Sequence, residues 1–322
     1  MKWIGPVAVL GVAGTAPLWV WNPYHLNTLI MAGIFAVLAL SLNLLLGYTG
    51  QLSLGHAAFF GIGAYASALL TIRLEWSPWL GLLAAILLPA LAGLAIGRLA
   101  LKLRGAYFVL LTISFAGVVS LVSVNWMDLT NGPLGLPGIP PVELALPGLG
   151  AVSLRSKGAY YYLVLGAVAL SYGVCRRLVH SRLGRALVAL RENEALAESV
   201  GIDGTHYLVL AAVISAGMAG AGGGLYAHYT RFVSPEVFLF TYTVTMVIMV
   251  VAGGKGTLAG PIVGAVVFTV LPEALRAVTS WQWQMLLYGM LLIATLFFLP
   301  RGIVPELADR WAARRRPGPA VP

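Results

Sequence analysis

LNLLLGYTGQLSLGHAAFFGIGAYASA, residues 42–68, is an apolar segment interrupted by a polar Gly-Tyr-Thr-Gly-Gln turn and resumed by a run rich in Gly and Ala. Hydrocarbon offers no hydrogen-bond partners, so backbone released from a helix at membrane depth must be satisfied by protein or by water in a cavity. The break therefore reads either as a short connection between two ordinary spans or as an interruption beside a path through the bilayer. Asn43, Thr49, Gln51, Ser53 and His56 gather around it, and Thr243 stands in a second polar stretch, residues 241–245, that enters another apolar segment. Neutral groups of this kind line a route for an uncharged or zwitterionic solute without burying a charge. Taken singly, each also serves as an interhelical hydrogen bond.

The rest of the chain shares this character. Of its 322 residues 59% are hydrophobic and 10% charged, with a mean hydropathy of +0.89, whereas soluble domains carry roughly a quarter charged residues. Segments able to cross about 30 Å of hydrocarbon need about 20 apolar residues each. Ten candidates meet that requirement at residues 3–21, 27–46, 54–72, 78–97, 106–124, 159–175, 206–228, 237–252, 259–275 and 282–300. Alternating these from a cytoplasmic N-terminus places 15 Lys and Arg inside and 5 outside, the latter being Arg73, Arg155, Lys157, Arg231 and Arg276. Positive charge is retained on the cytoplasmic side, so the opposite orientation would violate the rule by the same margin.

The expected fold is an all-α polytopic transmembrane protein of about ten spans, one domain over residues 1–322 with both termini cytoplasmic. Lys2, the apolar run after it and the small residues Gly14, Thr15 and Ala16 also fit a cleavable signal, although an uncleaved first span is expected and the remaining topology is the same either way. The net charge of +9 follows from the cytoplasmic bias and its attraction to anionic membrane lipid, without any nucleic-acid partner. A single cysteine, Cys175, excludes an internal disulfide.

Two internal stretches are not membrane-like. Residues 125–158 contain TNGPLGLPGIPP, in which prolines prevent regular helix and glycines permit tight turns, so an external loop is expected. Residues 176–205 form the most charged internal segment and are expected in the cytoplasm. Leu183, Leu187 and Leu190 make one helical stripe, while Leu196 and Val200 make a differently oriented pair. That change of face predicts two short amphipathic helices with a bend near Asn193, which suit a cytoplasmic partner ahead of a merely solvated surface or the lipid interface. A basic cytoplasmic tail follows at residues 301–322.

Several chemistries are missing. A phosphate-binding loop needs G-x-x-x-x-G-K-S/T, but AGGKGT at residues 252–257 has Met249 at the first Gly position and Gly256 where Ser or Thr belongs. No candidate span carries Asp, Glu, Lys or Arg near its middle, which weakens ion-coupled transport while leaving carbonyl-bound sodium open. His56 and His228 lack metal-ligand partners at helical spacing, and no nucleophile, base and orienting group form a recognisable local motif.

With these pieces in place, the chain resembles the LivM-type permease subunits of bacterial branched-chain amino acid ABC transporters. The resemblance rests on residues 42–68, TNGPLGLPGIP at 130–140, ALRENEALAESVGID at 189–203 and VVAGGKGTLAGPIVGA at 250–265. It implies a subunit of the bacterial inner membrane working with a second homologous permease, two cytoplasmic ATPase subunits and an extracytoplasmic solute-binding protein. No cofactor is implied on this chain, because ATP is hydrolysed by the partners. Residues 176–205 then look like the segment that couples to an ATPase, with Arg191, Glu192, Glu194 and Leu196 as contacts and Gly201 as a helix stop. The implied solutes are branched-chain or other hydrophobic amino acids. Similar permeases are associated with urea or short amides, and a stand-alone channel or ion-coupled carrier is the alternative of another class.

Overall fold

A computed structural model of the protein describes residues 22–100, 105–146, 150–153, 156–276 and 297–315, with isolated positions besides. Helix α1, Pro23–Asn43, starts where Asn22 accepts a hydrogen bond from the Tyr24 amide at 2.9 Å and where Pro23 occupies a first-turn position that needs no N–H donor. It continues through a π-helical turn, Leu44–Thr49, and ends at Gly50 in the left-handed region. The break expected over residues 47–51 thus begins as a π-helical turn and is complete at Gly50.

Four helices follow before the charged segment: α2, His56–Arg73; α3, Pro78–Ala100; α4, Ala106–Asn125; and α5, Lys157–Val179. The charged segment folds as α6, Arg182–Glu192, and α7, Glu194–Ser199, with the bend at Asn193. Helix α8, Gly204–Thr230, is the longest described, at 27 residues. It leads to α9, Phe240–Gly254; α10, Gly260–Arg276; and α11, Ile303–Arg315.

Five of these elements are long and apolar enough to cross a membrane: Pro23–Thr49, Pro78–Leu99, Ala106–Asn125, Lys157–Val179 and Gly204–Thr230. Helices α2, α9 and α10 are shorter, and the expected first and tenth spans lie almost wholly outside the described residues. Helices α1 to α5 and α8 to α10 alternate between two ends of the bundle. The end of α1 meets the turn after α9, while the start of α5 reaches back to Pro23 at the other end.

Helix α8 is the hub, packed against α3, α2 and α1. Its inward surface is nearly all Gly, Ala and Ser: a methyl group on Gly223 would meet the Phe60 carbonyl oxygen, and one on Gly220 the Ala85 carbonyl oxygen. Small residues let helices approach until backbone touches backbone, the mode available where lipid supplies no hydrophobic drive between helices. Ile30, Ile34, Leu38 and Phe60 are sealed in this centre. By contrast Leu83, Leu87 and Leu91 on α3 and Leu110, Val118 and Leu121 on α4 are exposed, an apolar surface matched to hydrocarbon.

Residues 125–158 are more ordered than their prolines suggest. A one-turn helix, Met127–Thr130, precedes β1, Leu136–Pro137, and a hairpin of β2, Glu143–Leu146, with β3, Gly150–Ser153. Strand β1 pairs antiparallel with β4, Phe232–Val233, just beyond the end of α8. After β4 the chain turns into the bundle through a 3-10 turn, Pro235–Phe238, whose Phe238 ring stacks on Tyr65 at 5.6 Å. Helix α9 follows directly from this turn, and its 15 residues rise only about 22 Å.

Candidate functional site

The interrupted helix and the charged segment meet at one end of the bundle. Ser181 caps α6 by accepting from the Gly184 amide, and Asn193 ends α6 and starts α7, its side chain accepting from the Leu196 amide at 3.0 Å. One asparagine thus makes the elbow by serving as the C-cap of one helix and the N-cap of the next. The inner face of the elbow, Leu187, Leu190 and Ala197, is buried against Leu44, Leu45 and Tyr48 of the π turn and Leu208 of α8. The outer face presents Leu196 and Val200, at 63% and 71% exposure. Glu192 is exposed beside them, and Gly201 ends the elbow at φ +89°.

Arg191 crosses from the elbow to the interrupted helix. Its guanidinium donates to the Gly47 carbonyl oxygen at 2.6 Å and to Glu192 Oε1 at 2.5 Å. The Gly47 carbonyl is free because the helix stops at Gly50, where the Gly50 and Gln51 amides both turn back to the Leu45 carbonyl. Arg191 supplies the donor that helical continuation would have supplied.

Asn43, one turn earlier, clips the same place to a third element. Its Nδ2 donates to the Thr257 carbonyl at 2.8 Å and its Oδ1 accepts from the Gly256 amide at 2.9 Å. Thr257 Oγ1 in turn donates to the Gly254 carbonyl and accepts from the Gly260 amide. The glycine-rich turn at residues 254–260 is therefore a tight joint between α9 and α10. Gly47 has no room for a side chain: a methyl there would overlap Asn43 Oδ1 and the Gly256 amide.

The remaining pathway candidates lie behind this joint and are buried. Ser41 shares a 2.7 Å hydrogen bond with His56 Nε2, and the Ser215 hydroxyl donates to the Ser41 carbonyl. Thr243 accepts from the Ala57 amide at the first turn of α2, and Thr49 donates to the Leu45 carbonyl. Ser53 is buried, and Gln51 is half-buried with its Oε1 enclosed and without a hydrogen-bond partner. Asn43, Thr49, Gln51, Ser53, His56 and Thr243 thus come together at one end. Asn43, His56 and Thr243 join separate elements, Thr49 bonds within its own turn, and His56 Nδ1, like Gln51 Oε1, is buried without a hydrogen-bond partner. The partners of Arg191 and Asn43 were not visible in the sequence, because they are main-chain atoms far along the chain.

The opposite end is closed differently. His228 lies buried between the Ser67 hydroxyl, 2.8 Å, and the Pro140 carbonyl, 2.7 Å. The Gly138 and Ile139 amides donate to the Arg231 carbonyl. Residues 125–158 are thereby fastened to the end of α8. No group of three or more His, Cys, Asp or Glu side chains able to hold a metal occurs among the described residues.

A bundle of apolar helices with a small-residue core and an amphipathic elbow at one end defines a multi-pass membrane protein. Residues 24–296 match the family model of the branched-chain amino acid transport system permease component, and the chain belongs to that family. It is 34% identical over 295 residues to the high-affinity branched-chain amino acid transport system permease protein LivM of Salmonella typhimurium, covering 85% of this chain and 68% of that protein. Identity to LivM of Escherichia coli is 33%, covering 84% of this chain and 68% of that protein. The LivH permease of Salmonella typhimurium is 26% identical, over 87% of this chain and 95% of LivH. No solved structure matches the chain.

Proposed function

We propose that this chain is one of two homologous permease subunits of an ATP-driven importer in the bacterial cytoplasmic membrane, taking up branched-chain or other hydrophobic amino acids. The observation that carries the reading is the elbow of α6 and α7. Its inner face and Arg191 grip the interrupted helix, and its outer face leaves Leu196 and Val200 exposed where an apolar partner groove could receive them.

On this reading two ATPase subunits bind the elbow in the cytoplasm and hydrolyse ATP, for which this chain holds no cofactor. A movement of the elbow is passed by Arg191 to Gly47, and by Asn43 to the α9–α10 turn, switching access between the two sides. A solute-binding protein delivers amino acid at the other end, where residues 125–158 form its landing surface. About ten spans with both termini cytoplasmic complete the topology, and membrane lipid surrounds the exposed faces of α3 and α4.

The test is reconstitution of this chain with its neighbouring permease, ATPases and binding protein in proteoliposomes. ATP-dependent leucine uptake that requires every subunit is the expected result. Uptake by the chain alone would make it a channel or carrier, and preference for urea over leucine would reassign the solute. Replacing both Glu192 and Glu194 by Lys is expected to reduce coupling or assembly; normal behaviour in both respects would refute the elbow as the coupling segment.

A further inference from the structure

Between α3 and α8 the surface carries an open, mainly apolar groove of about 620 Å³, lined along its length by Leu87, Leu91, Leu94, Val209 and Val213. Its axial extent is fixed by the helices: Leu87 to Arg98 on α3 and Asp203 to Val213 on α8 each rise about 15 Å, half of the roughly 30 Å hydrocarbon core. The groove ends at the elbow side in charged and polar groups, Arg98, Asp203, Thr205 and His206. Its apolar part is shorter, about 10 Å from Leu87 to Leu94 and about 6 Å from Val209 to Val213, which fits within one leaflet, and its polar groups lie together at the elbow end.

The two opposite charges at the mouth are not spent on each other. Among the described residues Arg98 makes no ion pair or side-chain hydrogen bond, whereas Asp203 uses Oδ1 to accept the His206 amide and cap α8. A guanidinium suits a phosphate, and a carboxylate with a remaining lone-pair oxygen suits an ammonium that can donate hydrogen bonds. A purely anionic headgroup would meet the Asp203 charge, and a trimethylated ammonium has no hydrogen to donate.

We infer that this groove is a binding site for one phospholipid with a primary ammonium, phosphatidylethanolamine in chemical class, its phosphate on Arg98, its ammonium on Asp203 and an acyl chain along α3 and α8. The site rests on the proposed function only for its leaflet, which is the cytoplasmic one if the elbow is cytoplasmic. Such a lipid would wedge two helices of the bundle at the root of the segment that α8 shares with the elbow.

The experiment equilibrates the delipidated full-length chain with mixed bicelles holding equal phosphatidylethanolamine, phosphatidylglycerol and phosphatidylcholine, then counts retained lipid by mass spectrometry. The wild type is expected to retain phosphatidylethanolamine about ten-fold over the other two, the ratio of one good hydrogen-bonded charge contact. Asp203→Asn keeps a competent helix cap and is expected to lose the preference over phosphatidylcholine while still holding lipid. Arg98→Gln is expected to lose all three classes. Leu91→Trp, at an exposed position that the fold leaves open, should displace the acyl chain, with Leu94→Trp as a second filler if the first elutes as aggregate.

Equal retention of the three lipids by the wild type, or unchanged retention in a monodisperse groove-filled variant, would overturn the site. So would efficient crosslinking of Leu210→Cys to the second permease in native membranes, because the groove would then be a subunit interface. Impermeant labelling of Glu198→Cys separates the two readings: labelling from outside would refute the cytoplasmic elbow and leave lipid retention unaffected.

Discussion

At the level of single residues, Arg191 satisfies the Gly47 carbonyl that the interrupted helix has released, and Asn43 on that helix satisfies the backbone of the α9–α10 turn. A hydrogen bond from a charged donor contributes about 1.5 to 3 kcal/mol, and the partial solvent exposure of Arg191 places it at the low end. Arg191→Gln is therefore expected to leave the assembled complex intact and to lower amino acid transported per ATP about ten-fold, read in proteoliposomes. Asn43→Leu removes two hydrogen bonds and strands the Gly256 amide and Thr257 carbonyl. It should cost about 2 to 4 kcal/mol of stability, seen as a lower melting temperature of the detergent-purified chain. The polar residues near the break were legible in the sequence, but the partners of Asn43 and Arg191 across the joint were not: hydrogen bonds to main-chain atoms more than 100 positions away leave no residue-type signal.

At the level of elements, the change of apolar face between Leu190 and Leu196 was enough to predict the elbow, since a straight helix could not have buried both. Asn193→Ala removes the α7 cap and should cost about 1 kcal/mol locally, observed as faster amide exchange over residues 193–200. Gly223→Val is expected to be far more severe, because its side chain would meet the Phe60 carbonyl and force α8 from α2. Overpacking of this kind costs about 1 to 3 kcal/mol or more, and loss of monodisperse protein on gel filtration would report it. Helix α9 was harder to read. Its apolar run continues upstream into Pro235–Phe238, yet that portion is a 3-10 turn that buries Val237 and Phe238, so the helix begins at Phe240 rather than at residue 237.

For the molecule as a whole, the alternation of helices puts the elbow, the α9–α10 turn and α11 at one end and residues 125–158 at the other. Cysteine accessibility tests the membrane orientation in a Cys175→Ser background. Leu134→Cys, at an exposed position of residues 125–158, is expected to react with an impermeant maleimide added to whole cells. Glu198→Cys is expected to react only after permeabilisation, and the reverse pattern would invert the topology.

Composition and hydropathy by themselves determined a multi-pass helical membrane protein, because hydrocarbon admits few alternatives to apolar helices, and amphipathic periodicity determined the elbow. Tertiary structure alone decided what the break at residues 47–51 is joined to. Helix closure is local and periodic, so a sequence reveals where it fails. The group that makes good the failure, Arg191 for Gly47, and the turn at Gly256–Thr257 that Asn43 clasps beside it, are chosen by packing between segments far apart in the chain.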